Sequence, residues 1–207
     1  MPENLHKLFV ISSPSGGGKT SLINKLFEDS RSTNFEKSIS DTSRQKRQGD
    51  LEGKDYYFLS EKDFKDKIKK EKYVEYATVF GNFYGTSKEE IKTKYNNSNL
   101  ILELDWQGAY AVKELFDDAK LIFLVPPSLD DLKQRLIKRN LDSSEAIENR
   151  LSEAKKEISK SEMYDYLVLN DDFDKAFEDL SQILFEGISP TDFNSRASKD
   201  LIKRLVE

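Results

Sequence analysis

Short apolar runs alternate along the chain with longer stretches in which apolar positions recur every three or four residues. The runs predict buried strands at Leu8–Ser12, Leu100–Asp105, Lys120–Val125 and Tyr166–Asn170. The longer stretches predict helices at Lys19–Asp29, Gly108–Phe116, Leu129–Arg139, Ser144–Ser159 and Asp174–Leu184. Continuous apolar strands separated by helices are typical of a parallel sheet with both faces covered. The pattern therefore predicts a doubly wound α/β fold.

Residues 35–95 break this rhythm. Short alternating stretches at Asp55–Leu59 and Tyr73–Ala77, with several Gly and Tyr residues around them, predict a mostly β lobe inserted into the core. Within it, Glu61–Lys72 is expected to form a mixed-charge helix whose lysines lie on a solvated face. The segment after Gly187 is polar and carries no functional signal beyond a short helix near Ser198–Val206.

Composition excludes several classes of function. The chain has 207 residues and a net charge of −5, which disfavours a nonspecific nucleic-acid binder. It has no cysteine and one histidine, His6, so disulfides, thiolate metal sites and multi-histidine sites are excluded. No apolar run approaches the roughly 18 residues of a membrane span, and a core strand follows the N-terminus at once. We expect neither a membrane segment nor a signal peptide, and a cytoplasmic location.

A glycine-rich turn follows the first strand and leads into the first helix. Glycines leave no Cβ atoms in the way of backbone N–H groups that turn toward one anion, and the helix N-terminus adds its own. A Lys-Thr pair at the end of such a turn can supply a cation for β/γ-phosphates and a hydroxyl for Mg²⁺. Serine replaces the first glycine of the strict motif. The candidate phosphate-binding residues are Ser13, Pro14, Ser15, Gly16, Gly17, Gly18, Lys19 and Thr20, and we call residues 13–18 the glycine turn.

Two polar groups lie in the predicted lobe. Ser40, Arg44 and Arg47 stand in a loop limited by Gly49, and the planar fork of arginine binds phosphate oxygens bidentately. Taken alone, such a basic loop is more often plain surface. Glu75 and the turn 81–86 are also open to two interpretations. Both could bind a ligand, or Glu75 could be an exposed strand residue and 81–86 a simple turn.

Further candidates follow the core strands. Glu103 and Asp105 lie at the C-terminal end of a buried strand, where α/β sheets bind ligands and where a carboxylate can steer Mg²⁺ or its waters. Asp105 could equally cap a helix. Three arginines, Arg135, Arg139 and Arg150, lie on two helices that a polar turn joins. They could form a phosphate lid, or they could pair with nearby acids at Asp131, Glu148 and Glu153.

These segments together resemble the guanylate kinase family of nucleoside-monophosphate kinases from about Lys7 to Glu186. The motifs that carry the resemblance are Ser-Pro-Ser-Gly-Gly-Gly-Lys-Thr (13–20), Ser-x-x-x-Arg-x-x-Arg-x-Gly (40–49), Gly-Lys-Asp-Tyr-Tyr-Phe (53–58), Gly-Asn-Phe-Tyr-Gly-Thr (81–86), Asp-Trp-Gln-Gly-Ala (105–109), Pro-Pro-Ser (126–128) and Asn-Asp-Asp (170–172). The resemblance implies one P-loop unit over 1–207, with a core at 1–34, 96–128 and 161–207, a GMP-binding lobe at 35–95 and a helical lid at 129–160. It implies transfer of a phosphoryl group from ATP to GMP with Mg²⁺.

The resemblance also implies residue roles. It assigns the GMP phosphate and its surroundings to Ser40, Arg44, Arg47, Tyr56 and Tyr84. It assigns guanine to Glu75 and Thr86, a substrate-side acid to Asp105 and a position near adenine to Asn170. Lys19, Arg135, Arg139 and Arg150 become the catalytic cations, and Thr20 becomes a direct Mg²⁺ ligand. Glu103 stands where some members carry Asp, so Glu103 and Asp105 both remain candidates for contact with metal waters.

Two other functions remain open from the sequence. A small GTPase switch would fit the glycine turn and the Asp105-x-x-Gly108 pattern, but the chain has no Asn-Lys-x-Asp motif to read guanine. A non-catalytic binding module of the same fold would be expected to lack the P-loop lysine and phosphate arginines, which are present here. A homodimer is left open.

Overall fold

A computed structural model describes residues 7–79, 81–138 and 144–207. In chain order, the strands within these residues are β1 Leu8–Ser12, β2 Phe35–Lys37, β3 Asp41–Thr42, β4 Tyr57–Phe58, β5 Tyr73–Val79, β6 Asn82–Ser87, β7 Asn99–Glu103, β8 Lys120–Val125 and β9 Tyr166–Leu169. The helices are α1 Lys19–Glu28, α2 Glu61–Lys69, α3 Lys88–Tyr95, α4 Trp106–Leu115, α5 Leu129–Lys138, α6 Ser144–Ser159, α7 Phe173–Ser181 and α8 Lys199–Val206. Short 3₁₀ turns at Ser30–Asn34 and Ser161–Met163 and a π-helical turn at Gln182–Glu186 complete the described elements.

The predicted parallel sheet is confirmed. Its five strands follow the order β2, β7, β1, β8, β9. Parallel pairing joins β2 to β7 with Glu36 opposite Leu100, and β8 to β9 with Phe123 opposite Leu167. All five residues of β1 are buried, as are the last five of β8, because a parallel sheet covered by helices has no solvated face.

The chain divides into two compact units, each described here by itself. The first comprises the described residues up to Val10 together with Asn34–Ala119, and the second comprises Ile11–Thr33 together with Lys120–Glu207. The first unit holds a four-stranded, largely antiparallel sheet in the order β4, β3, β6, β5. The first residues of the predicted lobe, Phe35–Lys37, lie in the parallel sheet instead, because three residues are too short for their alternation to show which sheet they join.

An aromatic core fastens α2 to the antiparallel sheet. Phe64 is fully buried and stacks on Tyr73 and Phe83, with ring centroids 4.6 and 5.4 Å apart. Ser60 caps the helix by accepting a hydrogen bond from the Asp63 amide at 3.1 Å. The helix ends at Lys69, and Glu71 after it has a positive φ of 51°.

The sequence analysis missed α3. Its signal was present, because Ser87 caps the helix by accepting from the Glu90 amide at 3.1 Å, the spacing of a capping box. Glu90 also accepts a hydrogen bond from the Ile39 amide at 2.8 Å, which ties the start of α3 to the chain just before Ser40.

The polar segment after Gly187 follows the edge strand β9 in the second unit. Tyr166 donates its hydroxyl to the Ile188 carbonyl at 2.7 Å, and Ser195 donates to the Leu167 carbonyl at 2.5 Å. Arg196 donates to the Leu169 carbonyl at 2.8 Å. The segment thereby supplies partners to an edge strand that would otherwise present open backbone groups. We call residues 188–206 the C-terminal tail; its helix α8 packs against α6.

Two other predicted boundaries differ for local reasons. The helix predicted at Gly108–Phe116 begins at Trp106, because Asp105 caps it. The helix predicted at Asp174–Leu184 is α-helical only to Ser181 and then continues as the π-helical turn, closed by Gly187 at φ 69°. None of the helices in the described residues is both long and apolar enough to cross a membrane.

The aromatic core of the first unit yields a stability prediction. Phe64→Ala should lower the free energy of unfolding by about 3–5 kcal/mol, because it removes two ring contacts and leaves a cavity. Phe173→Ala is the control, since Phe173 is 41% exposed, and it should cost less than about 1 kcal/mol. Urea unfolding followed by circular dichroism measures both. Equal losses would show that Phe64 does not anchor α2.

Candidate functional site

The glycine turn has a backbone that larger residues could not adopt. Gly16 and Gly18 have φ values of 85° and 92°, in the left-handed region. The Gly17 amide donates to the Pro14 carbonyl at 2.8 Å. A Cβ on Gly17 would lie 2.8 Å from the Ser13 Cβ and 2.9 Å from the Pro14 carbonyl oxygen, so this position has no room for a side chain.

Lys19 and Thr20 open α1 directly after the turn. Gly18 is the N-cap residue, and no side chain caps this end of α1 among the described residues. The first-turn amides and the positive end of the helix dipole therefore suit an anion. The structure thus gives the glycine turn the backbone form that a phosphate cradle needs.

Asn170 holds this turn from the end of β9. It is 4% exposed and donates its side-chain amide to the Gly17 carbonyl at 2.7 Å. Its own backbone amide donates to the Val125 carbonyl at 2.8 Å, and its carbonyl accepts from Arg135 Nη2 at 2.9 Å. Asn170 was expected near adenine from the family resemblance; what the structure shows is that its side chain fixes the backbone of the glycine turn.

Two of the three predicted lid arginines lie beside this turn. Arg150 Nη1 donates to the Ser15 hydroxyl at 3.0 Å, and Arg135 reaches the turn through Asn170. Arg139 lies outside the described residues. The acids proposed as alternative partners are engaged elsewhere. Their contacts are Glu148 with Lys133, Glu153 with Lys156, and Asp131 with Ser128.

A buried polar cluster of Ser40, Glu75 and Thr86 lies on the antiparallel sheet of the first unit. Glu75 pairs with Thr86 across β5 and β6, and the Ser40 and Thr86 hydroxyls are 3.4 Å apart. Glu75 is 5% exposed, and its Oε1 finds no hydrogen-bond partner among the described residues. Burial raises the pKa of Glu75 to about 7, with a further rise from the Asp105 charge that hydrogen bonds from Thr86 partly offset.

Gly108 allows this carboxylate to approach α4. A Cβ at Gly108 would lie 2.9 Å from Glu75 Oε2, so any other residue here would displace the carboxylate. The Gly108 amide donates to Asp105 Oδ1 at 2.9 Å, so the same residue completes the helix cap. The sequence analysis gave Gly108 no role; a glycine within a helical pattern was the signal of a close approach.

The predicted GMP-phosphate arginines are held by an acid that the sequence analysis missed. Arg44 Nη1 lies 2.9 Å from Asp50 Oδ2, and the Arg47 amide donates to the same oxygen at 2.8 Å. The Arg44 guanidinium also lies over the Tyr56 ring, 5.3 Å from its centroid. Tyr56 contacts Tyr84 edge to face at 5.7 Å. Burial raises the pKa of Tyr56, so its hydroxyl remains a hydrogen-bond donor at neutral pH.

The two acids at the end of β7, Glu103 and Asp105, have different surroundings. Asp105 caps α4, as one of the two sequence interpretations proposed. Glu103 accepts from Lys37 Nζ at 2.7 Å, so its charge is already compensated. Within the described part of the chain, no three His, Cys, Asp or Glu side chains converge to hold a metal ion.

The chain is similar to guanylate kinases in three comparisons. The protein-family model described as guanylate kinase matches residues 5–187. Guanylate kinase of Wolbachia sp. subsp. Brugia malayi (strain TRS) is 46% identical over 184 residues, covering 88% of this chain and 93% of the relative. That of Hahella chejuensis (strain KCTC 2396) is 47% identical over 178 residues, covering 86% and 85%. The crystal structure of guanylate kinase from Anaplasma phagocytophilum has 32% identity and a TM-score of 0.73, and covers 99% of this chain and 98% of that chain.

The buried carboxylate makes stability depend on pH. Because the pKa of Glu75 rises from 4.5 to about 7 on folding, the folded chain retains a proton in this window that the unfolded chain has lost. The free energy of unfolding therefore falls as pH rises through the window.

Glu75→Gln should abolish this loss. The free energy of unfolding of the variant, minus that of wild type, should rise by about 2 kcal/mol from about pH 5 to about pH 8. Urea unfolding at each pH measures this difference. Glu89→Gln, on the exposed first turn of α3, should show no such trend. A Glu75→Gln difference that stays constant with pH would mean that Glu75 ionises normally in the fold.

Proposed function

The chain belongs to the guanylate kinase family, and we propose that the polar cluster around Glu75 binds GMP and that the glycine turn binds ATP. It transfers the γ-phosphoryl group of ATP to GMP, giving ADP and GDP. Neither the GTPase switch nor the non-catalytic module is favoured. The observation that carries the assignment of the GMP side is the buried carboxylate of Glu75, which has an unpartnered oxygen among the described residues.

Guanine fits this carboxylate because its N1–H and 2-amino groups are adjacent donors. A carboxylate accepts both, whereas adenine has an unprotonated N1 and no 2-amino group. Adenine would therefore leave Glu75 desolvated and unpaired, which is costly. The residues proposed to recognise guanine are Glu75 and Thr86. The Thr86 hydroxyl lies 3.4 Å from the Ser40 hydroxyl.

The phosphate of GMP is assigned to the group around Arg44. Arg44, Arg47, Tyr56 and Tyr84 present two guanidinium groups and two phenol hydroxyls, and Ser40 adds a hydroxyl. Asp50 and the Tyr56 ring hold Arg44 in place before any ligand binds. A side chain that is already oriented loses less conformational entropy on binding.

ATP is assigned to the glycine turn of the second unit. The turn amides and Lys19 would surround the β- and γ-phosphates, and Asn170 would lie near adenine as in the family pattern. Arg135 and Arg150 already contact this region. Together with Arg139 they are proposed as cations of a lid at 129–160 that excludes water from the transferred group.

We propose that Mg²⁺ binds together with ATP. Thr20 is proposed as a direct ligand through its hydroxyl, and Asp105 as a contact through water. Glu103 is the weaker water-mediated candidate, because Lys37 already compensates its charge. When bound, the ion would neutralise phosphate charge.

Catalysis needs positioning more than proton transfer. The attacking oxygen belongs to a GMP phosphate whose second pKa is about 6, so it is largely ionised at neutral pH. The chain must orient the acceptor and neutralise two polyanions. We place the activity in purine nucleotide metabolism and in the cytoplasm, in keeping with a chain that has no cysteine.

Base specificity tests the guanine assignment. Glu75→Gln should lower kcat/KM for GMP by about 10²-fold or more, because the amide cannot accept two N–H donors. The ratio of kcat/KM for GMP to that for AMP should fall, while the KM for ATP stays unchanged. Glu89→Gln is the matched control. An unchanged GMP/AMP ratio would show that guanine is read elsewhere.

The ATP assignment is tested at Lys19. Lys19→Ala should lower kcat by about 10²–10³-fold, because it removes a cation next to the β- and γ-phosphates. Lys25→Ala on the same helix removes only a 3.5 Å contact with Glu28 and should leave turnover intact. Steady-state ADP formation measures both, with circular dichroism to confirm folding. Near-normal turnover of Lys19→Ala would contradict the assignment.

A further inference from the structure

The C-terminal tail lies beyond the residues that the family model matches, which end at 187. One of its side chains nevertheless reaches the segment that carries Asn170. Arg196 donates from Nη1 to Asp171 Oδ1 at 2.6 Å, from Nη2 to the Leu169 carbonyl at 2.8 Å and from Nε to Asp179 Oδ2 at 3.1 Å. A single guanidinium thus contacts the residues on both sides of Asn170.

Asn170 passes this constraint to the glycine turn. Its side-chain amide holds the Gly17 carbonyl at 2.7 Å, and its own carbonyl accepts from Arg135 at 2.9 Å. Both contacts require Asn170 to keep one backbone position, because a hydrogen bond weakens steeply with distance and angle. The Gly17 amide and carbonyl are part of the backbone that would surround the phosphates of ATP.

The chemistry of these contacts requires arginine. The three partners are contacted by three different nitrogens of one rigid planar fork, whereas lysine offers a single nitrogen on a flexible stem. The Arg196 hydrogen bond is also the main reason why the pKa of Asp171 is lowered, so Asp171 stays charged and paired. Arg196 is half-buried, and water does not fully screen the pair.

We propose that Arg196 is a positioning residue for ATP, and that the C-terminal tail is part of the nucleotide site. Arg196 fixes the backbone of the turn after β9. Asn170 in that turn is thereby held where it can hydrogen-bond both Gly17 and Arg135. The inference rests on the proposed binding of ATP at the glycine turn. A tail that only stabilised the fold would change the melting temperature without changing nucleotide affinity.

The test compares variants of the full chain below their melting temperatures. Arg196→Ala should raise the KM for ATP, measured by steady-state kinetics, by about tenfold. It should raise the Kd for ADP, measured by calorimetry, by a similar factor. The KM for GMP should stay within about twofold of wild type. Arg196→Lys should fall between wild type and Arg196→Ala in ADP affinity. Arg204→Ala is the matched control, because within the described part of the chain Arg204 hydrogen-bonds a carbonyl of its own helix, that of Asp200 at 3.3 Å.

Two results would overturn the proposal. One is an unchanged Kd for ADP in both Arg196 variants, accompanied by a lower melting temperature, which would make the tail a stabilising element only. The other is an equal rise in the KM values for ATP and GMP, which would indicate a general loss of structure. If Arg196→Ala fails to fold, Arg196→Lys decides by the same ADP measurement.

Failure of the proposed function would look different. It would appear as wild-type protein that forms no ADP from ATP and GMP, or that does not bind ADP. An intact wild type with unaffected Arg196 variants contradicts only the role of the tail.

Discussion

The glycine turn imposes the constraint on which the second unit depends. Its amides suit an anion only while its carbonyls find partners elsewhere, since an unpaired buried carbonyl is costly. Gly17 meets this requirement through the Asn170 side chain at 2.7 Å. The end of β9 is therefore tied to the loop after β1, although about 150 residues separate them in sequence. Three arginines contact these two segments. Arg135 and Arg196 contact the end of β9, and Arg150 contacts the glycine turn.

The first unit depends on a different constraint, because it buries a carboxylate away from water. Removing Glu75 from solvent costs free energy, as its raised pKa shows, and Thr86 offsets only part of the cost. Gly108 leaves the space in which the carboxylate lies, and Asp50 orients the arginines nearby in the same unit. The polar groups are thus held in position by residues that need not touch a ligand themselves.

Local signals made much of this predictable. The apolar runs at β1 and β8 gave correct bounds, and the glycine turn was predicted from its run of glycines, the Lys-Thr pair and its place between a strand and a helix. Helix α3 was missed although Ser87 and Glu90 signalled its start. The contacts of Arg196 could not be predicted, because they join the tail to β9 and α7 through tertiary packing. The Lys37–Glu103 pair, 66 residues apart, was hidden for the same reason.

The buried carboxylate of Glu75 also makes ligand binding exchange protons with the solvent. With a pKa near 7, about half of the unliganded molecules carry a proton on this group at neutral pH. Two N–H donors favour the ionised form, so GMP binding in the proposed role releases a fraction of a proton. The heat of binding then includes the ionisation enthalpy of whatever buffer accepts that proton. We therefore expect the calorimetric enthalpy of GMP binding to differ between phosphate and amine buffers even when the affinity at a given pH is the same.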